Sequence, residues 1–248
     1  DGTVGRGAST GRRRPPSHRG PQQDSPAEPV LRVEHLSVRH GEVAAVDDVT
    51  LTLPAGELVA LRGPNGAGKS SLLHAIARPG TRGSVVARGI DIHSLRPRAR
   101  RREVALVPEA FDDLLFSTTV EEECRRADRR AIGAPTAEVF ARFLSVDSLG
   151  APALLARHPR DLSAGERLCL VLAIQLSARP AVLLVDEPTR GLDAHARELV
   201  GGALVTATES GATVVVATHD GDFAERFATR SLSMEAGRVM APAQVVAR

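Results

Sequence analysis

Hydrophobic positions along the chain fall into short, separated runs. Leu31, Val33, Leu36 and Val38 predict an early strand, and Val49, Leu51 and Leu53 alternate with polar residues as far as Pro54 and Gly56. Residues 58–61 form a short apolar run that ends at Gly63. Three more compact runs, 104–107, 182–185 and 214–217, are bounded by polar or breaker residues, the pattern of strands buried on both faces of a parallel sheet. Helical stretches fall between them at 70–78, 164–177 and 194–209. Strands alternating with helices predict an α/β fold with a mainly parallel sheet. Residues 118–160 carry no strand signal and read as a helical insertion.

The pattern fails at the start. Residues 1–29 hold five Gly, five Pro and five Arg, and Val4 is the only large aliphatic. Such a segment buries too little apolar surface to offset the entropy of ordering, so it is predicted to be a disordered tail or linker. Its five Arg against Asp1, Asp24 and Glu28 account for the whole net charge of +2, so the chain's basic balance says little about what the folded part binds. Arg12, Arg13 and Arg14 read as a solvated run rather than a nucleic-acid or acidic-lipid contact. The folded domain is expected to span 30–240, with a short tail over 241–248.

Composition excludes several classes. With no Trp, no Tyr and six Phe, the chain lacks the aromatic platforms of single-stranded nucleic-acid binding. Two cysteines, Cys124 and Cys169, make neither a disulfide framework nor a four-ligand zinc site, and both read as reduced packing residues. The longest apolar run, 168–174, is too short to span a bilayer as a helix. Of 32 basic residues, 31 are Arg, which makes the single Lys, Lys69, worth a reason.

That reason is a motif. Gly63-Pro64-Asn65-Gly66-Ala67-Gly68-Lys69-Ser70 fits G-x-x-x-x-G-K-[ST], after a predicted strand and before a predicted helix. Its glycines let backbone N–H groups curl around phosphate oxygens, and the helix points its positive end at the same place. Lys69 would reach the outer phosphates, Ser70 would ligate Mg²⁺, and Ser71 continues the helix start. The nearest fixed cation in the sequence, Arg62, is expected on the wrong side of the loop. A second signal is the run 182–185 ending in Asp186 and Glu187, two carboxylates at a strand's carboxyl end, where parallel sheets open their ligand crevice. Asp186 is placed to hold Mg²⁺ and Glu187 to polarise water. Leu162-Ser163-Ala164-Gly165-Glu166 opens an apolar helix, with Ser163 as its N-cap.

The order of these elements resembles the nucleotide-binding domain of ABC ATPases, over nearly everything from 31 to 240. That resemblance implies a P-loop NTPase core with an antiparallel β part near the N-terminus and a helical subdomain over approximately 110–178. Residues 63–70 resemble the Walker A loop, 162–166 the signature usually written LSGGQ, and 182–187 Walker B with its catalytic Glu. Gly191-Leu192-Asp193 resembles the D-loop, and His219 falls at the switch histidine. His40 falls where the family has an aromatic that stacks on adenine, and Glu109 at the Q-loop glutamine, whose oxygen meets Mg²⁺. The stretches 113–123 and 186–193 resemble the ATPases of energy-coupling factor importers, which bring vitamins or transition-metal ions into prokaryotic cells. In that group two ATPase domains are sometimes fused, which would account for a linker-like start without Met.

The resemblance implies ATP and Mg²⁺ as ligands, a second ABC ATPase domain to complete each site, and a transmembrane transport subunit, with no specific nucleic acid. Glu187, His219 and Lys69 would be catalytic, while Ser163 and Gly165 would serve the partner's ATP. Three residues depart from the pattern. Glu109 replaces Gln, Ala164 replaces Gly and Glu166 replaces Gln. Glu109 adds a charge beside Mg²⁺ and the γ-phosphate. Two other readings stay open: a soluble ABC ATPase outside transport, and a domain that binds ATP while its partner hydrolyses it. The five Arg at 96, 98, 100, 101 and 102 read first as a solvated face, with a docking or nucleic-acid patch as the alternative. His74, His93, His158 and His195 have no metal-ligand spacing.

Overall fold

The computed structural model describes residues 29–240, apart from 79, 81, 130, 148 and 149, together with Gly2. The tail expected over 1–29, with Arg12 to Arg14, and the one expected over 241–248 lie outside the described residues but for positions 2 and 29.

Two sheets form. Strands β1 (Leu31–His40), β2 (Val43–Leu53), β4 (Arg82–Ala87) and β5 (Ile90–Asp91) pair antiparallel in the order β2-β1-β4-β5. The second sheet runs β10-β9-β3-β8-β7-β6, from β3 (Leu58–Arg62), β6 (Val104–Val107), β7 (Val182–Asp186), β8 (Thr213–Thr218), β9 (Arg230–Glu235) and β10 (Arg238–Met240). It is parallel except for the β9–β10 hairpin at its edge. Helices α1 (Lys69–Ala77), α2 (Pro97–Glu103), α3 (Val120–Asp128), α4 (Thr136–Phe143), α5 (Ala151–Leu155), α6 (Ala164–Leu176), α7 (Ala194–Glu209) and α8 (Gly221–Phe227) complete the order. Between β6 and β7 the described residues hold only helices and turns, as the missing strand signal predicted.

The continuous apolar runs have a simple cause. Successive strand side chains face opposite ways, and here both faces are covered. Val182 and Leu184 of β7 join Val215 and Ala217 of β8 in a core shared with the antiparallel sheet and α1. Leu183, Val185, Val214 and Val216 face a second core built by α3, α4, α6 and α7. Polar alternation would have buried unpaired groups on one side. Cys124 and Cys169 lie in this second core, and burial pushes both thiols up to about 12.

Four strands and two helices leave little trace in the sequence. In β9 only Leu232 and Met234 are apolar and buried, because one face lies open. Helix α2 buries no residue. Its position comes from Pro97 in its first turn and from Arg100, whose guanidinium donates to the carbonyls of Ile92 (3.1 Å) and Leu95 (2.6 Å).

Candidate active site

The loop from Gly63 to Lys69 is wedged between the two sheets. A Cβ on Gly63 would lie 2.2 Å from the Met234 carbonyl oxygen on β9, and one on Gly68 would lie 2.0 Å from that of Ala45 on β2. Gly68 also holds a φ of 103°. Only glycine fits both places, so the approach of two strands dictates the motif as firmly as its ligand does. The β9–β10 turn pins the loop: Gly237 N–H donates to Ala67 O (3.0 Å), and Asp47 N–H donates to Gly237 O (2.9 Å). Helix α1 starts at Lys69 with no side-chain cap, so its first N–H groups remain for an anion.

Lys69 is buried, with 6% of its surface exposed. Its ammonium donates to the carbonyls of Gly63 (2.9 Å) and Pro64 (3.3 Å) and lies 3.4 Å from Glu187 Oε1. The other oxygen of Glu187 is 2.8 Å from His219 Nδ1. Glu187 thus joins the lone lysine to the histidine after β8. Its backbone sits at a φ of 45°, costly for a side chain of its size, and its N–H is fixed on Ala217 O at 2.8 Å. Asp186 lies beneath, 3% exposed, and accepts a 3.0 Å bond from the Ser70 hydroxyl. Burial raises its carboxyl above the usual carboxylate range, against the Ser70 bond, which lowers it. Two hard oxygen donors facing each other beside a phosphate cradle suit Mg²⁺.

Lys69, Ser70, Glu187 and His219 line a cavity of about 700 Å³, while Gly63, Pro64 and Asp186, also anticipated, lie outside its lining. Its walls include Asn65, Gly66, Ala67, Gly68, Lys69, Ser70, Ser71, Glu109, Glu187 and His219, all of them anticipated. Val43, Ala44, Ala45, Arg190, Ala236 and Gly237 line it too. Arg190 is the main omission of the sequence reading. It pairs with Glu109, so the cavity holds a second cation besides Lys69, and Glu109 is not a lone negative charge there. Arg62 is indeed elsewhere, 3.8 Å from Glu225. His40 does not line the main cavity. It borders an adjoining hollow of about 340 Å³ that shares Ser70 and Ser71, and its Nε2 lies 3.3 Å from Ser71 Oγ.

Ser163, Gly165 and Asp193 are brought together away from that cavity. They line a separate one of about 600 Å³, which has no residue in common with the first. Ser163 and Glu166 close a capping box on α6. Glu166 N–H donates to Ser163 Oγ (3.2 Å), and Ser163 N–H donates to Glu166 Oε2 (2.7 Å). Asp193 caps α7 by accepting from Ala196 N–H at 2.8 Å. Gly165 lets α6 and α7 approach, since a Cβ there would come within 2.9 Å of the Ala196 Cβ. His195 lines this second cavity. His93 bonds the Ala75 carbonyl (3.0 Å), His158 caps a turn at Arg160 (3.0 Å), and no cluster of metal-ligating residues occurs among the described residues. No helix among them is long and apolar enough to cross a membrane.

Known proteins resemble this chain in sequence and fold. The ABC transporter family profile matches residues 46–190. A Streptomyces avermitilis protein named as an ABC transporter ATP-binding protein is 45% identical over 88% of the chain, which spans 38% of that protein's length. A dimeric ATP-binding cassette, MJ0796, solved with ADP and Pi, is similar with a TM-score of 0.70 and 26% identity, covering 85% of this chain and 97% of that one. The cbiO1 protein of Clostridium perfringens, part of the ABC transporter complex cbiONQ, is similar with a TM-score of 0.73 and 25% identity, covering 86% and 88%. By the profile match and these relatives, with the glycine loop, the paired carboxylates and the capped α6 arranged on this fold, the chain belongs to the ABC transporter ATP-binding domain family, whose members hydrolyse ATP.

Proposed function

We propose that the chain binds and hydrolyses Mg-ATP in the 700 Å³ cavity as one half of an ATPase pair that drives import through a separate membrane subunit. Backbone N–H groups of the loop and the start of α1 hold the phosphates. Lys69 exchanges its carbonyl partners for the outer phosphate oxygens. Ser70 and Asp186, with Glu109, would hold Mg²⁺, which when bound neutralises charge on the phosphates. Glu187 orients and polarises the attacking water, with His219 fixing the carboxylate through its Nδ1. His40 supplies a small aromatic face beside the cavity for the base.

The observation that carries the two-domain reading is the separation of the two cavities. Ser163, Gly165 and Asp193 share no cavity with Lys69 and Glu187, so they are free to close on the nucleotide of a second domain. The importer reading, with a vitamin or transition-metal ion as cargo and a site on the cytoplasmic face of a prokaryotic membrane, rests on the resemblance of 113–123 and 186–193 and on the likeness to cbiO1. The helices between β6 and β7 act as a helical subdomain in this scheme, and the chain fits one half of a fused pair.

Glu187→Gln tests the scheme. It is expected to keep ATP binding, slow phosphate release about 10²-fold or more, and trap a closed pair that elutes early in size exclusion with ATP. Normal turnover with no ATP-dependent association would remove Glu187 from its role. Purification from membranes with a polytopic partner tests the transport part separately.

A further inference from the structure

The arginine-rich segment before β6 builds a hollow of its own. Along α2, Arg98, Arg101 and Arg102 stand at i, i+3 and i+4, on one helix face. They line a cavity of about 480 Å³ together with Arg126 and Arg129, three residues apart at the end of α3. Arg100, on another face of α2, is spent on backbone carbonyls and takes no part. Of the two sequence readings of this run, the solvated face and the docking patch, the second is the one that arginines of two helices lining one concavity support.

The charge there is only partly compensated. Among the described residues, Arg98, Arg101, Arg102 and Arg129 donate to no carboxylate, and no acid lines the cavity. The nearby acids are engaged elsewhere. Glu103 accepts from Arg88 at 2.9 Å, Glu123 holds Arg126, and Asp128 accepts from Thr136 N–H at 2.9 Å. Three helix ends meet here, those of α2, α3 and α6, and each contributes roughly half a negative charge. Five permanent guanidinium charges exceed that sum and the single Glu123 together.

The rim is apolar. Phe116, 73% exposed, lies with its ring centroid 5.0 Å from the Arg126 guanidinium. Ile132, 53% exposed, donates its N–H to the carbonyl of Ser177, which lines the cavity. Two exposed large apolar side chains thus lie next to residues of this arginine-lined hollow. A basic hollow with an aromatic and an aliphatic residue at its edge is the chemistry of a membrane interface, where guanidinium groups meet phosphates and apolar side chains enter the headgroup layer.

We infer that this hollow binds the phosphate headgroups of anionic phospholipids and seats the domain directly on the bilayer surface. It needs neither ATP nor the membrane subunit, so it stands or falls apart from the ATPase reading.

The test is co-sedimentation of the full chain with vesicles of phosphatidylcholine alone, or of equal parts phosphatidylcholine and phosphatidylglycerol. Binding is expected only to the anionic vesicles. Arg98→Ser/Arg101→Ser is expected to weaken it about thirtyfold, about fivefold per guanidinium, with ATP binding unchanged. Arg82→Ser/Arg160→Ser, which removes the same charge from elsewhere on the surface, is expected to cost far less. Phe116→Ser is expected to weaken vesicle binding further without altering the response to inorganic polyphosphate. Equal binding to both vesicles overturns the inference. So does equal loss in the two double variants, or full retention by Arg98→Ser/Arg101→Ser, which would move the contact to another basic segment such as residues 6–19. Binding of inorganic polyphosphate with no binding to anionic vesicles would make the ligand a soluble phosphate and overturn the lipid assignment.

Discussion

Glu109→Gln isolates the charge that most separates this site from the family pattern. The carboxylate lines the cavity of about 700 Å³ and pairs there with Arg190. A cavity of that size places a wall group about 6 Å from a charge at its centre, where one unit charge at an effective dielectric of about 40 is worth about 1.4 kcal/mol, or tenfold in affinity. In EDTA, nucleotide phosphates meet Lys69, Arg190 and Glu109 with no metal ion between them. Glu109→Gln is then expected to bind nucleotide about tenfold more tightly, because Arg190 is no longer opposed. Arg190→Ala is expected to bind about tenfold more weakly, and the double variant to return near the wild-type value. The pair itself does not upset that order. Its partners are 42% and 70% exposed, and such a pair is worth about 0.2–1 kcal/mol.

With Mg²⁺ present the same carboxylate attracts the ion and repels the γ-phosphate, so the two effects oppose each other. Phosphate release by the paired domains is expected to be kept or modestly raised in Glu109→Gln, with its optimum moved to higher Mg²⁺. The assays are titration of a fluorescent ATP analogue in EDTA and steady-state phosphate release against Mg²⁺ concentration. Unchanged or weaker binding of Glu109→Gln in EDTA refutes the electrostatic reasoning. A collapse of phosphate release would give the carboxylate a catalytic duty of its own.

Lys69→Ala removes a buried ammonium that Arg190 does not replace while Glu109 holds it, so ATP affinity is expected to fall on the order of 10²-fold; wild-type affinity in the same titration would sink the phosphate-loop assignment. Gly165→Ala forces a Cβ to within 2.9 Å of the Ala196 Cβ and is expected to cost about 1–3 kcal/mol in thermal or denaturant unfolding. Gly202→Ala on the same α7, with nothing within 4 Å, is expected to be neutral or stabilising, and equal behaviour of the two would deny the close approach of α6 and α7. Cys124 and Cys169, raised from 9.0 to about 12, hold almost no thiolate at pH 8, so alkylation of the folded protein is expected to run about 10³-fold slower than in denaturant. Rapid labelling of the native chain would contradict their burial.

What could be read from the sequence was chemistry that local order already fixes. The runs 182–185 and 214–217 announce strands because both faces of β7 and β8 are covered. The phosphate loop announces itself because Gly63 and Gly68 are required by strands that approach them and Gly66 by its positive φ. The open-faced β9 and the fully polar α2 carry no such signal, and their places follow from neighbours distant in the chain. Arg190 was hidden for the same reason. Its role as a cavity cation exists only because the loop after β7 lies beside the residue that follows β6, and nothing in the order of residues declares that pairing.

Glu166 shows the opposite case, a departure from the family pattern whose local role lay in plain view. Ser163 and Glu166 have the spacing of a capping box, and the structure closes it from both sides. Glu166 holds the Ser163 backbone N–H at 2.7 Å, while Ser163 Oγ accepts one N–H at 3.2 Å and keeps its own O–H uncommitted among the described residues. The carboxylate therefore acts on the helix start and leaves the serine hydroxyl able to donate outward into the second cavity. Glu166 thus keeps the capping box that Gln would also close, adds a negative charge at the helix N-terminus, and spares the two groups, Ser163 and Gly165, that the proposed facing phosphate would meet.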